Sequence, residues 1–130
     1  MMESVQYTIR LAPVSKKNSQ QILRNQATSR PFIVPSAKYR KYEQEAGWFL
    51  RPRTAKPIDQ PVNVKCLFYM PTRRRVDLTN LLEAVDDVLV KYKILEDDNS
   101  GIVAGHDGSR VRYSKDNPRT EITIWTMREG

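Results

Sequence analysis

The chain has 130 residues, with 22 Lys and Arg against 15 Asp and Glu and a formal net charge of +7; that length suits one domain, able to bury a core without staples and too short for two ordinary domains. One cysteine, Cys66, and one histidine, His106, exclude an internal disulfide framework, multi-cysteine metal sites, zinc fingers and paired-histidine zinc centres. No run approaches the roughly 20 apolar residues of a membrane span, and the first residues lack a signal-peptide core, so the expected location is the cytoplasm.

Residues 5–11 alternate apolar and polar side chains and predict a half-buried strand, ended by Pro13 and the polar stretch 15–19. Ile22-Leu23 and Phe32-Ile33-Val34 are candidates for two short strands around a tip. Ser36 is placed to cap a helix over 37–50, whose Tyr39, Tyr42, Ala46, Phe49 and Leu50 share one face. After the basic, proline-broken loop 51–57, residues 61–70 alternate through Val62, Val64, Cys66, Phe68 and Met70, the clearest strand signal in the chain. Leu78, Leu81, Leu82, Val85 and Leu89 then form the apolar stripe of a second helix over 78–91. Residues 96–101 predict a turn, 102–113 a strand bulged near Asp107-Gly108, 115–118 a hairpin loop and 120–127 a closing strand. The order β-α-β-α-β-β predicts an α+β fold: a single small domain over residues 1–130, with a mixed β-sheet and two main helices packed against it. Cys66, Trp48 and Trp125 read as core, and His106 as a packed or exposed side chain rather than a ligand or base.

The charge is unevenly spread. Residues 1–75 hold 15 Lys and Arg against 4 Asp and Glu, a balance of +11, and residues 76–130 hold 7 against 11, a balance of −4. The basic part suggests a polyanion partner, because Lys and Arg gain by displacing counterions from phosphates. The acidic part would repel that partner and needs its own reason. On the second helix Asp77, Asn80, Asp87 and Lys91 recur at spacings of three, seven and four and share a polar face, with Asp77 placed as N-cap. Arg73, Arg74 and Arg75 stand directly before that helix, where free N–H groups and the positive end of the dipole already favour anions. Asp97-Asp98 sits in the turn after it, and adjacent carboxylates need relief from solvent or from a cation. Oxygen ligands from helix and turn together could hold Mg²⁺ and leave positions for water and phosphate.

In this order the motifs resemble the RusA-type Holliday junction resolvases. The resemblance is carried by Arg73-Arg-Arg-Val-Asp-Leu-Thr-Asn-Leu-Leu-Glu-Ala-Val-Asp-Asp-Val-Leu89, by Ile94-Leu-Glu-Asp-Asp-Asn99, and by Pro13-Val-Ser-Lys-Lys-Asn-Ser19, which is similar to the family's N-terminal loop. It implies a homodimeric endodeoxyribonuclease, dependent on Mg²⁺ with Mn²⁺ as a substitute, that cuts Holliday junctions or other branched DNA in recombination and repair. By position, Asp77 and Asp98 would be catalytic metal ligands with Asp97 in support, and Asp87 a further ligand or a structural acid. Arg73, Arg74 and Arg75 would contact phosphates, Lys16 and Lys17 would extend the DNA track, and Asn80, Thr79 and Lys91 would support the site. Two positions depart from the family pattern: Thr79 replaces its second acid and Glu83 its lysine. The alternative is a catalytically weakened or inactive branched-DNA-binding module of the same fold, and a third reading is a basic interaction protein with capped helices.

Overall fold

The computed structural model describes residues 4–15, 20–24 and 31–127. Its elements are β1 (Ser4–Ile9), β2 (Gln20–Arg24), β3 (Pro31–Pro35), α1 (Ala37–Ala46), β4 (Val62–Met70), α2 (Leu78–Lys91), β5 (Val103–Gly105), β6 (Arg110–Tyr113) and β7 (Arg119–Thr126). β2 and β3 pair with each other as a separate two-stranded sheet. The other five strands form one mixed sheet, as the α+β expectation requires. β4 lies at its centre, antiparallel to β7, which is in turn antiparallel to β1. β5 and β6 both run parallel to β4 along its other edge. A parallel return needs a crossover, and α2 supplies it.

Period-two alternation puts Val64, Cys66 and Phe68 of β4 on one face with Ile122 and Ile124 of β7 and Tyr7 and Ile9 of β1. The buried stripe of α2, Leu81, Val85, Val88 and Leu89, and Tyr42 and Ala46 of α1 complete that core. Cys66 is fully buried there, as its place in the alternation predicts.

The span of α2 matches its sequence signal at both ends. Asp77 caps its start, its Oδ1 accepting from the N–H groups of Thr79 at 2.9 Å and Asn80 at 3.4 Å. Its end is a Schellman turn: Ile94 N–H donates to Leu89 O at 2.9 Å and Lys93 N–H to Val90 O at 3.1 Å, with Lys93 in the left-handed region at φ 64°. α1 is shorter than the 37–50 expected and ends at Ala46. The Tyr92 ring lies where a Cβ on Gly47 would be, 2.5 Å from its Cε1, while the Tyr92 hydroxyl donates to Glu43 O at 2.6 Å. The next residue, Trp48, is 79 % exposed and is not core.

Two further expectations are corrected. The strand read over 102–113 is two strands, separated by a turn at Asp107-Gly108 with Gly108 at φ 87°. Residues 115–118 do not close a hairpin, because β6 and β7 flank opposite sides of β4 and this segment carries the chain across.

Candidate active site

β4 and the turn after β5 fix the first side chain of interest. Asn63, buried on β4, donates from Nδ2 to Asp107 O at 3.2 Å and accepts from Asp107 N–H at 2.8 Å, and Ser109 Oγ accepts from Cys66 N–H at 3.0 Å. This clamped turn directs His106 Nε2 onto the Asp86 carboxylate of α2, 2.9 and 3.2 Å from its two oxygens. Burial pushes the Asp86 pKa up, the His106 hydrogen bond and charge oppose that shift, and Asp98 and Asp87 add to it. The hydrogen bond to Asp86 raises the His106 pKa, against partial burial. A histidine whose folded pKa exceeds its ordinary value of about 6.5 contributes stability that is complete below that value and is lost as pH rises through the folded pKa. The difference in Tm between wild type and His106→Asn, measured in chelator, is therefore expected to be largest near pH 6 and to shrink toward pH 8.5.

Around this pair the structure gathers the acids of the second half of α2 and its following turn. Partial loss of solvent around the otherwise exposed Asp98 raises its pKa first, followed by the side-chain hydrogen bond with Asp97 and the charges of Asp87 and Asp97. Asp97 is held low because its Oδ1 accepts from Asp98 N–H at 2.7 Å. Its Oδ2 accepts from Asn99 Nδ2 at 3.1 Å, so this carboxylate shapes the turn. Asp86, Asp87 and Asp98 thus act on one another electrostatically, with Asp97 beside them.

Asp77 stands apart from this cluster. Asp87 lies ten positions after it, and a rise of about 1.5 Å per residue puts the two roughly 15 Å apart along the helix axis. Thr79 is exposed on the first turn, whereas Asn80 is buried there and faces the core side. Lys91 donates from Nζ to Glu43 Oε1 at 2.8 Å and ties the end of α2 to α1. Hard carboxylate oxygens gathered close together are the donor chemistry a divalent cation relieves. Among the described residues, however, no three His, Cys, Asp or Glu side chains are arranged to hold a metal ion. The cluster fits Mg²⁺ in the chemistry of its donors.

At the other end of α2 the charge is reversed. A groove of about 510 Å³ opens where β4 ends and α2 begins, lined by Arg74, Arg75, Lys38, Pro13, Ser15 and Leu81 among others. Lys38 lies in the first turn of α1, so two helix N-termini and three cations border one cavity, an arrangement that favours phosphate. Arg73 lies 4.1 Å from the centroid of the Tyr113 ring, over its face. Lys16 and Lys17, expected to extend the basic track, lie outside the described residues.

The residues that sequence reasoning missed are Asp86 and His106 as a pair. The signal was available: Asp86 follows Leu82 by four and precedes Leu89 by three, so a carboxylate occupies the edge of the apolar stripe. A buried acid needs a partner. Comparison with known proteins adds two findings. A family model described as Endodeoxyribonuclease RusA matches residues 5–125. No curated protein matches the chain.

Proposed function

The chain belongs to the RusA endodeoxyribonuclease family, and from that premise we propose that it hydrolyses phosphodiester bonds in Holliday junctions or other branched DNA, in the cytoplasm, as a Mg²⁺-dependent homodimer. The observation that carries this reading is the polarity of α2, with a three-cation groove at its start and mutually repelling carboxylates at its end. Asp98 and Asp87 would hold the ion, Asp97 would fix the turn that presents Asp98, and Asp86–His106 would anchor α2 to the clamped turn after β5. When bound, Mg²⁺ supplies charge neutralisation at the scissile phosphate and a more acidic water.

The chain's own groups do the rest. Arg74, Arg75 and Lys38 bind backbone phosphates in the groove, and Arg73, held over the Tyr113 ring, adds a further guanidinium for phosphate. Asp77 organises the first turn of α2 through its two capping bonds. For Asp77 also to reach the cation, the start of one α2 must meet the end of another, which a two-fold pairing of copies would provide. That is why the dimer forms part of the proposal.

Purified protein is expected to nick a synthetic four-way junction at paired positions in Mg²⁺ or Mn²⁺, to stop when the ion is chelated, and to spare linear duplex of the same sequence. Salt-dependent junction binding with no cleavage in either ion would overturn the nuclease reading and leave a binding module, with Thr79 and Glu83 as the first positions to restore.

A further inference from the structure

We propose that the open face of the five-stranded sheet is a second DNA-docking surface, which seats a duplex arm through its phosphates; the inference rests on the branched-DNA reading above. The helices and the apolar side chains occupy one face of the sheet, and β4 turns Lys65, Leu67 and Tyr69 to the other. The strand register then assembles a row across it. Tyr69 is paired with Arg119 of β7 on one side and with Arg112 of β6 on the other, and residues directly opposite in a ladder share a face. Leu67 is paired with Arg110 in the same way. The last pair between β1 and β7 is Ile9 with Thr120, so Arg10 continues the row beside Arg119. Arg10, Arg119, Tyr69 and Arg112 therefore cross four strands, a span of roughly 14 Å at about 4.8 Å per strand.

The row is built, not merely exposed. Arg119 lies 3.8 Å from the centroid of the Tyr69 ring, donates from Nε to Glu121 Oε2 at 2.9 Å and from Nη1 to Asn117 O at 3.0 Å. Glu121 is the one acid among the described residues of β1, β4, β6 and β7, and Arg119 engages it. Arg10, Arg110 and Arg112 are exposed and have no ion pair among the described residues.

Charge complementarity selects the occupant. A second copy laid face to face by two-fold symmetry would set guanidinium groups against guanidinium groups, whereas duplex DNA presents about one negative charge per 1.7 Å of axis. This face lies on the opposite side of the sheet from the groove at the start of α2, so the two surfaces engage different arms of a branched substrate.

The test is junction binding in Ca²⁺ across a salt series, comparing wild type with Arg110→Gln/Arg112→Gln. Two lost phosphate contacts are expected to lower the slope of log K against log salt by close to two and to weaken binding roughly tenfold or more at moderate salt. The Arg110→Lys/Arg112→Lys protein is expected to recover most of the slope. If the edge-strand variant unfolds, Arg10→Gln, beyond the end of β1, reads the same row and should lower the slope by about one. Unchanged slope and affinity in folded variants, with wild type binding normally, would overturn this proposal alone. A change of oligomeric state in light scattering would overturn it in favour of an interface between copies. Absence of salt-dependent junction binding by wild type would overturn the branched-DNA reading itself.

Discussion

Asp98→Asn is expected to lower junction cleavage in Mg²⁺ by about 10²–10³-fold while leaving the fold and junction binding in place. A bound divalent ion contributes several kcal/mol of charge stabilisation in phosphoryl chemistry. At about 1.36 kcal/mol per decade of rate, losing most of that contribution gives the stated range. Asn keeps the size and one oxygen of the side chain and removes the charge that attracts the cation. Asp98 is exposed, on a turn whose shape depends on Asp97 accepting from the Asp98 backbone N–H, a bond the substitution retains. Removing its charge also relieves repulsion of Asp87 and of incoming phosphates, so junction affinity should hold or rise. Single-turnover cleavage with enzyme in excess, read beside gel-shift affinity in Ca²⁺, separates the two effects. Full cleavage by the variant would remove Asp98 from the cation site. Loss of binding and cleavage together would assign it to folding.

The same comparison explains why the elements of the site were easier to read than its assembly. The start and the period of helix α2 were legible because each signal is local: Leu81, Val85 and Leu89 set the period and Asp77 is a strong cap. Its distal closure was not legible, since it depends on Lys93, a residue type with no preference for the left-handed region, adopting φ 64°. The split of residues 102–113 depends on where two short strands find β4, a tertiary choice that alternation cannot encode. Trp48 read as core because a large aromatic usually is, but α1 ends at Ala46 and Trp48 follows Gly47 on the side away from the buried face of Tyr39, Tyr42 and Ala46. For the acids, spacing in sequence suggested that Asp77 and Asp98 converge. The rise of α2 sets Asp77 roughly 15 Å along the axis from Asp87, a distance that motif order does not carry.

Phe68→Ala is expected to cost about 4 kcal/mol of stability and to lower Tm by roughly 15 °C, whereas Leu67→Ala, one residue away, should cost under about 1 kcal/mol. Phe68 is 1 % exposed in the central strand, paired with Thr120 on one side and Val111 on the other. It belongs to the core cluster that includes Leu81 and Val85 of α2. With strands on both flanks, the surrounding backbone cannot close on the space left by a deleted ring, so the lost burial and the residual cavity both count. Leu67 points to the other face, beside Arg110 and Glu121, where solvent fills what a truncation vacates. Urea unfolding of the two variants should show this contrast with equal m-values. Equal midpoints would mean that the register of β4 is shifted by one residue. Because a one-residue slip exchanges the two faces of a strand, that shift would also turn Tyr69 from the Arg112–Arg119 row into the core.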